Sequence, residues 1–216
     1  MNEINPPENE SAVRIPVEIL TKAAEALSQT PLSEEEFDQA FASCQLSAFR
    51  LETFPEYKLA NEEATFREFR KTGLLPESIK NGDWLEEIRE TTRKGIRNCR
   101  IHVVEHPLSK YLEFEMASYH ESVKAGEEVR IADANLHPEL KSLNEDFWLF
   151  DGEGPGNDGD LLMMKYAEDG QYLGVTRSSS CETIQRCKAQ RDLALALSVP
   201  FNEYIQAHSL PLAAVV

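Results

Sequence analysis

Apolar side chains recur along this chain with two different periods, and the switches between them mark out its elements. Ile19, Leu20, Ala23, Ala24 and Leu27 fall at helical spacing behind Pro16, a residue suited to a first helical turn. Residues 15–30 are therefore expected to be an N-terminal helix, closed by Thr30-Pro31. Residues 1–14 ahead of it are polar, carry Pro6-Pro7 and read as a flexible arm. Ser33, with Glu36 three residues on, makes a capping-box start for a second helix that puts Phe37, Ala40, Phe41 and Cys44 on one face. Phe49 to Phe54 alternates and reads as a strand that stops at Pro55. Glu62 to Lys71 is helical up to Gly73. Asp83 can cap a further helix that turns Trp84, Leu85 and Ile88 inward and ends near Gly95.

The second half changes rhythm. Arg100 to Glu105 is β-branched and alternating, and Pro107 terminates it, so a strand is predicted. A helix from Ser109 to about Lys124 ends at Gly126, and Glu128 to Ala132 supplies another strand. Asp146 to Asp151 has an apolar run long enough for a buried strand, followed by a glycine-rich loop over 152–159. Leu161 to Tyr166, the Asp169-Gly170 turn and Gln171 to Thr176 complete a meander. Cys181 to Leu197 is a closing helix with Ile184, Cys187, Leu193, Ala194 and Leu197 broadly on one side, and Pro200 ends it. This order predicts the α/β class: a mixed sheet with covering helices in one domain over 33–206, followed by a C-terminal tail over 207–216.

Charge narrows the partners. A net charge of −16 disfavours a diffuse grip on nucleic acid or on an anionic membrane, both of which rely on accumulated positive charge. No stretch approaches the roughly 20 apolar residues that cross a bilayer. The first residues carry glutamates and no basic side chain before Arg14, unlike a secretory signal. Cys44, Cys99, Cys181 and Cys187 lack Cys-x-x-Cys spacing and read as reduced thiols. A cytoplasmic protein is expected, with no cofactor and neither nucleic acid nor membrane as a direct partner.

The local motifs are weak as chemistry. His102-Val103-Val104-Glu105-His106 fits the H-x-x-E-H pattern of one zinc-peptidase group, which needs both histidines on one helical face. Here the segment is strand-like, and residues four apart on a strand are about 13 Å apart, too far to share a metal. The loop from Asp151 has acids at its first and third positions and glycine at its sixth, as a calcium loop does. Pro155 and Leu162 occupy two decisive ligand positions, so a solvated hairpin loop is expected instead. Arg89, Arg93, Lys94, Arg97 and Arg100 form a basic run that could hold an anion or simply end a solvated helix. There is no G-x-S-x-G elbow and no glycine-rich phosphate loop, and no catalytic residue or metal ligand is assigned.

Several short segments together resemble an uncharacterised bacterial domain family often encoded beside helix-turn-helix regulators. They are Ala48-Phe49-Arg50-Leu51-Glu52 with Tyr57 and Glu62; Trp84-Leu85; the Arg100 strand with Pro107 and Tyr111; Ala125-Gly126-Glu127 with Arg130; Asp146 to Asp151; and Arg191-Asp192 with Pro200-Phe201. The likeness covers roughly residues 36 to 205. The latter part also resembles one half of a phospholipase D-like fold, through Gly126 to Arg130, Asp146 to Asp151 and Cys181 to Phe201 in that order. Active enzymes of that fold carry H-x-K-x-x-x-x-D, and none of the five histidines here has lysine two residues later. The resemblance therefore implies an inactive version.

Within it, Arg50, Glu52, Arg100, Tyr111, Arg130 and Trp148 are expected to converge on one pocket, where arginine beside a carboxylate suits a carboxylate, phosphate or peptide terminus. The competing expectation is a buried structural ion-pair network. The functional expectation is a non-catalytic regulatory or ligand-binding module acting with a protein partner such as a transcriptional regulator. The alternative is an enzyme of unrecognised type acting on a small anionic or aminoacylated metabolite. A third reading, an antitoxin-like or scaffold protein, needs an apolar patch on the helix from Pro16 to Leu27.

Overall fold

β1 (Ser47–Glu52) is buried along its whole length because it runs through the middle of a seven-stranded mixed sheet. The computed structural model describes residues 31–154 and 156–208, so the predicted arm, the helix over 15–30 and residues 209–216 of the tail lie outside the described residues. β1 is flanked by β2 (Arg97–Val104) on one side and β4 (Asp146–Phe150) on the other. β3 (Glu128–Asp133) and β7 (Val199–Pro200) extend the first side; β5 (Asp160–Tyr166) and β6 (Tyr172–Ser178) extend the second. β1, β2 and β3 are parallel, and the remaining pairs are antiparallel. The expected α/β class with a mixed sheet is what the chain adopts.

The two faces of this sheet differ. On one, Phe49, Leu51, Cys99, Ile101, Phe147, Leu149, Leu161 and Met163 form a continuous apolar core under α6 (Cys181–Leu197), which contributes Ile184, Cys187 and Ala194. On the other lie α1 (Glu34–Ser43), α4 (Asp83–Arg93), α5 (Lys110–Ala125) and α7 (Phe201–His208), with α2 (Glu63–Thr72) and the single turn α3 (Glu77–Lys80) packed against α5. There the apolar contacts split into separate clusters around Tyr119, Trp148 and Tyr111. Charged side chains fill the gap between them.

The local signals explain most boundaries. Ser33 and Glu36 form the reciprocal capping box, and the Ser109 hydroxyl accepts the Leu112 N–H at the start of α5. Gly126 ends α5 at φ +115, and a Cβ there would meet the Thr92 side chain at 2.7 Å, so glycine is required twice over. Three expectations need correction. β1 begins at Ser47 and stops at Glu52, because the Thr53 and Phe54 N–H groups leave the ladder to donate to the Tyr57 hydroxyl. Gly82, not Asp83, is the N-cap of α4; Asp83 is its first helical residue. Pro200 closes β7 and α7 follows it directly, so residues 207 and 208 belong to a helix and not to a tail. A short 3-10 turn, Pro138–Ser142, was not foreseen.

The glycine-rich segment is the β4–β5 hairpin loop, and its first acid is already committed. The Asp151 carboxylate accepts N–H groups from Gln45, Leu46 and Ser47 at 2.7–3.2 Å. Burial opposes ionisation of Asp151, but these backbone donors outweigh it and hold its pKa below the ordinary carboxylate value. They also fasten the start of β1, and Asp151 itself sits at φ +52, which aspartate tolerates better than alanine. Asp151→Ala is expected to lower the unfolding free energy by about 2–3 kcal/mol, read as a drop in the urea midpoint at unchanged slope.

Candidate functional site

The charged gap is built by strand register. Arg50 pairs with Arg100 and Glu52 with His102 across β1 and β2, while Trp148 of β4 lies opposite Arg50. Alternate residues share a face, so Arg50, Glu52, Arg100, His102, Asp146 and Trp148 all point to the helix-covered side that α5 occupies. Arg100 Nη1 lies 2.8 Å from Glu52 Oε2, and its Nε lies 2.9 Å from Glu127 Oε1. Arg50 Nη2 is 3.3 Å from Asp146 and its Nε 3.4 Å from Glu52. Arg50 is 3% exposed and its Nη1 has no hydrogen-bond partner among the described residues. The Tyr57 hydroxyl donates to Asp146, which also accepts from the Thr53 backbone and hydroxyl. His102 Nε2 meets the Phe54 carbonyl at 3.0 Å, and its Nδ1 meets the Tyr119 hydroxyl at 2.7 Å.

This packing sets the charges. Burial disfavours the Glu52 anion, but Arg100 and then Arg50 outweigh it and hold its pKa down at about 2. Burial lowers the pKa of His102, so the ring is neutral. Burial raises Asp146 despite Arg50 beside it. Glu115, on the inner face of α5, has no cation of its own; burial, then Glu62 and Glu52, push its pKa up to about 8. Burial thus favours its protonated form, which can donate a hydrogen bond.

A cavity of about 410 Å³ opens above this network between α1, α4 and α5. Phe37, Phe41, Trp84, Phe114, Tyr119 and Trp148 supply its aromatic surfaces, and Arg100 is the cation of a polar lining that includes Glu62, Asp83 and Glu115. The Arg100 guanidinium lies 5.6 Å from the ring centres of Trp84 and Tyr119 and 5.7 Å from that of Trp148. Its Nη2 donates to no described residue, since Nε and Nη1 take both of its ion pairs. The outcome is a planar cation fixed on two edges, walled by three aromatic rings, with one donor edge uncommitted.

The structure brings Arg50, Glu52, Arg100 and Trp148 together. Tyr111 joins at one remove: its hydroxyl donates to Glu62 at 2.7 Å, and Glu62 lines this cavity and a neighbouring one of about 380 Å³. Arg130 does not join. Its partner across β2 is Ile101, on the apolar face, and it binds Ser198 through Nε and Nη2 at 2.9 and 2.7 Å. The basic run also disperses: Arg89 and Arg93 pair with Glu86, Arg97 with Glu128 and Glu153, and only Arg100 turns inward. Of the cysteines, Cys44, Cys99 and Cys187 are buried, Cys181 is exposed, and all are free.

Glu115, Tyr119, His102, Glu127 and Asp146 complete the network without having been singled out for it. One signal existed. Tyr111, Glu115 and Tyr119 recur every four residues on a helix whose neighbouring Leu112 and Met116 are plainly core, so a polar stripe had to face inward.

A model of the family described as "Domain of unknown function (DUF6879)" matches residues 35–206. The chain belongs to this family. No curated protein matches it at a significant level. The DUF6879 domain therefore contains all seven strands and every residue of the charged network. Among the described residues, no helix is long and apolar enough to cross a membrane.

Proposed function

We propose that this DUF6879 domain is a non-catalytic ligand-binding module with a regulatory role, and that the cavity over Arg100 receives a small molecule with an anionic group. The single observation carrying this reading is the Nη2 edge of Arg100, uncommitted among the described residues, in an aromatic-walled cavity. An apolar pocket of a few hundred cubic ångströms with few convergent polar groups is the usual form of a small-ligand site. Glu115 lines the same cavity, and in its protonated form it can donate a second hydrogen bond, which supports a carboxylate or phosphate ligand. A protein partner, such as a helix-turn-helix regulator in the cytoplasm, is part of the proposal. Its support is the charge of −16, suited to a basic docking surface, and the free thiols. A distant likeness to an inactive phospholipase D-like half is part of the same proposal, on the sequence order of Gly126 to Arg130, Asp146 to Asp151 and Cys181 to Phe201.

A second reading, an enzyme acting on a small anionic metabolite, rests on Glu115 alone. A carboxylic acid whose pKa burial raises to about 8, beside Tyr119, is the kind of group that serves as a general acid or base near neutral pH. Native mass spectrometry of the protein purified from its host tests both. A retained small molecule that is absent from Ser118→Phe, which fills the cavity, supports the ligand module; retention of a chemically altered form of a supplied substrate supports the enzyme. A protein that carries nothing, and whose melting temperature no carboxylate or phosphate moves, excludes the cavity as a ligand site.

A further inference from the structure

A second cluster stands apart from the charged network, at the carboxyl end of the parallel strands. Asp133 closes β3, His106 follows β2 by two residues, and His208 is the last residue of α7. His106 Nε2 lies 3.4 Å from Asp133 Oδ2, and His208 Nε2 lies 3.8 Å from the same oxygen. One ligand atom from each residue falls within 4.8 Å of the others. Four donors placed tetrahedrally about 2.0–2.1 Å from a zinc ion stand roughly 3.4 Å apart, so these separations fall near that geometry.

The supports around Asp133 and His208 point the same way. The Tyr204 carbonyl can only accept, so the His208 Nδ1 at 3.0 Å from it carries the proton. In the neutral ring Nε2 then keeps its lone pair, facing Asp133. The Asp133 Oδ1 accepts the Asn135 N–H at 2.8 Å, which leaves Oδ2 for the two imidazoles. The Asn135 side chain returns to accept the His106 N–H at 2.7 Å, which positions His106. Tyr204 packs against both rings, 4.2 Å from His208 and 6.2 Å from His106 between centres, and its hydroxyl is 2.8 Å from His106 Nε2, a hydrogen bond that a metal ion on that nitrogen replaces. The two histidine rings lie 5.1 Å apart and nearly parallel. Asp133 is buried, whereas the histidine side chains are 33% and 29% exposed, so an ion can enter and water can complete its shell.

We propose that His106, Asp133 and His208 form a binding site for a divalent transition metal of the zinc class, through two imidazole Nε2 atoms and one carboxylate oxygen, with at least one position open. A ligand set of nitrogen and oxygen without thiolate selects such ions over calcium or magnesium, which take oxygen. The carboxyl end of parallel strands is also where open α/β sheets usually place their ligands. The local H-x-x-E-H spacing plays no part. His102 is buried in the charged network, and His106 finds its partners from β3 and α7.

The test titrates the full-length protein, stripped with chelator, with zinc(II) by calorimetry and with cobalt(II) by visible absorption. The expected result is one equivalent of metal and cobalt ligand-field bands without thiolate charge transfer. His106→Ala and His208→Ala should each weaken zinc by more than the roughly 10–100-fold that outer-shell changes cost, and Asn135→Ala by about that range. Melting curves recorded without metal show that each variant is folded. Three results would each overturn the site: no zinc uptake by the folded wild type, charge-transfer bands that report cysteine ligation, or affinity unchanged in both histidine variants.

Discussion

Arg100→Met is expected to lower the unfolding free energy by about 3–5 kcal/mol, the cost of removing one partner from a buried ion pair. The side chains are similar in length, so the loss is electrostatic. Glu52 and Glu127 are both buried and both lean on this guanidinium, at 2.8 and 2.9 Å. The sign of the pH dependence follows from Glu52, whose folded pKa of about 2 lies below the ordinary 4.5. Its contribution to stability is complete above pH 4.5 and is lost as the pH falls through 2. In Arg100→Met that contribution shrinks, so the gap between wild type and variant should narrow in acid. Adding Glu52→Gln should restore part of the lost stability, because the stranded charge is gone. Urea unfolding of the single and double variants between pH 3 and 7 measures all three statements.

Glu115 should give the opposite slope. Its folded pKa of about 8 stands above 4.5, so between these values the native state holds a proton that the unfolded chain has released. Stability is complete below pH 4.5 and is lost as the pH rises through 8, by an amount on the order of a few kcal/mol. Glu115→Gln keeps the neutral shape at every pH. It should match wild type near pH 5 and exceed it in stability at pH 9, with the difference opening across that window. Parallel curves for the two proteins would mean that Glu115 is ionised in the native state and offers the cavity no donor.

What could be read from the residues alone has a physical boundary. The alternation and β-branching of the Arg100 strand and the run from Asp146 to Asp151 mark elements whose identity depends on local period, and both are strands of the central sheet. Arg50 and Glu52 are two apart on one strand, so their shared face was legible as well. Arg130 shows where such reading stops. Its place depends on the β2–β3 register, in which Ile101 and not Arg100 lies opposite it, and no local pattern encodes that pairing. α7 is not legible in the sequence because eight residues behind a proline carry too little periodicity to distinguish a helix from a tail. The triad of His106, Asp133 and His208 was unreadable for a related reason: its members come from three elements that meet only when the sheet is assembled.

Intrinsic fluorescence offers the most direct test of the central claim, since the chain has only two tryptophans and both Trp84 and Trp148 line the cavity. The protein would be titrated with a panel of small carboxylates and phosphates, alongside Ser118→Phe. The expected result is a saturable change in emission for at least one anion in the wild type, and none in the folded, cavity-filled variant. Emission that no anion alters, or that changes equally in both proteins, would contradict a ligand site over Arg100 and leave the network as a structural ion-pair core.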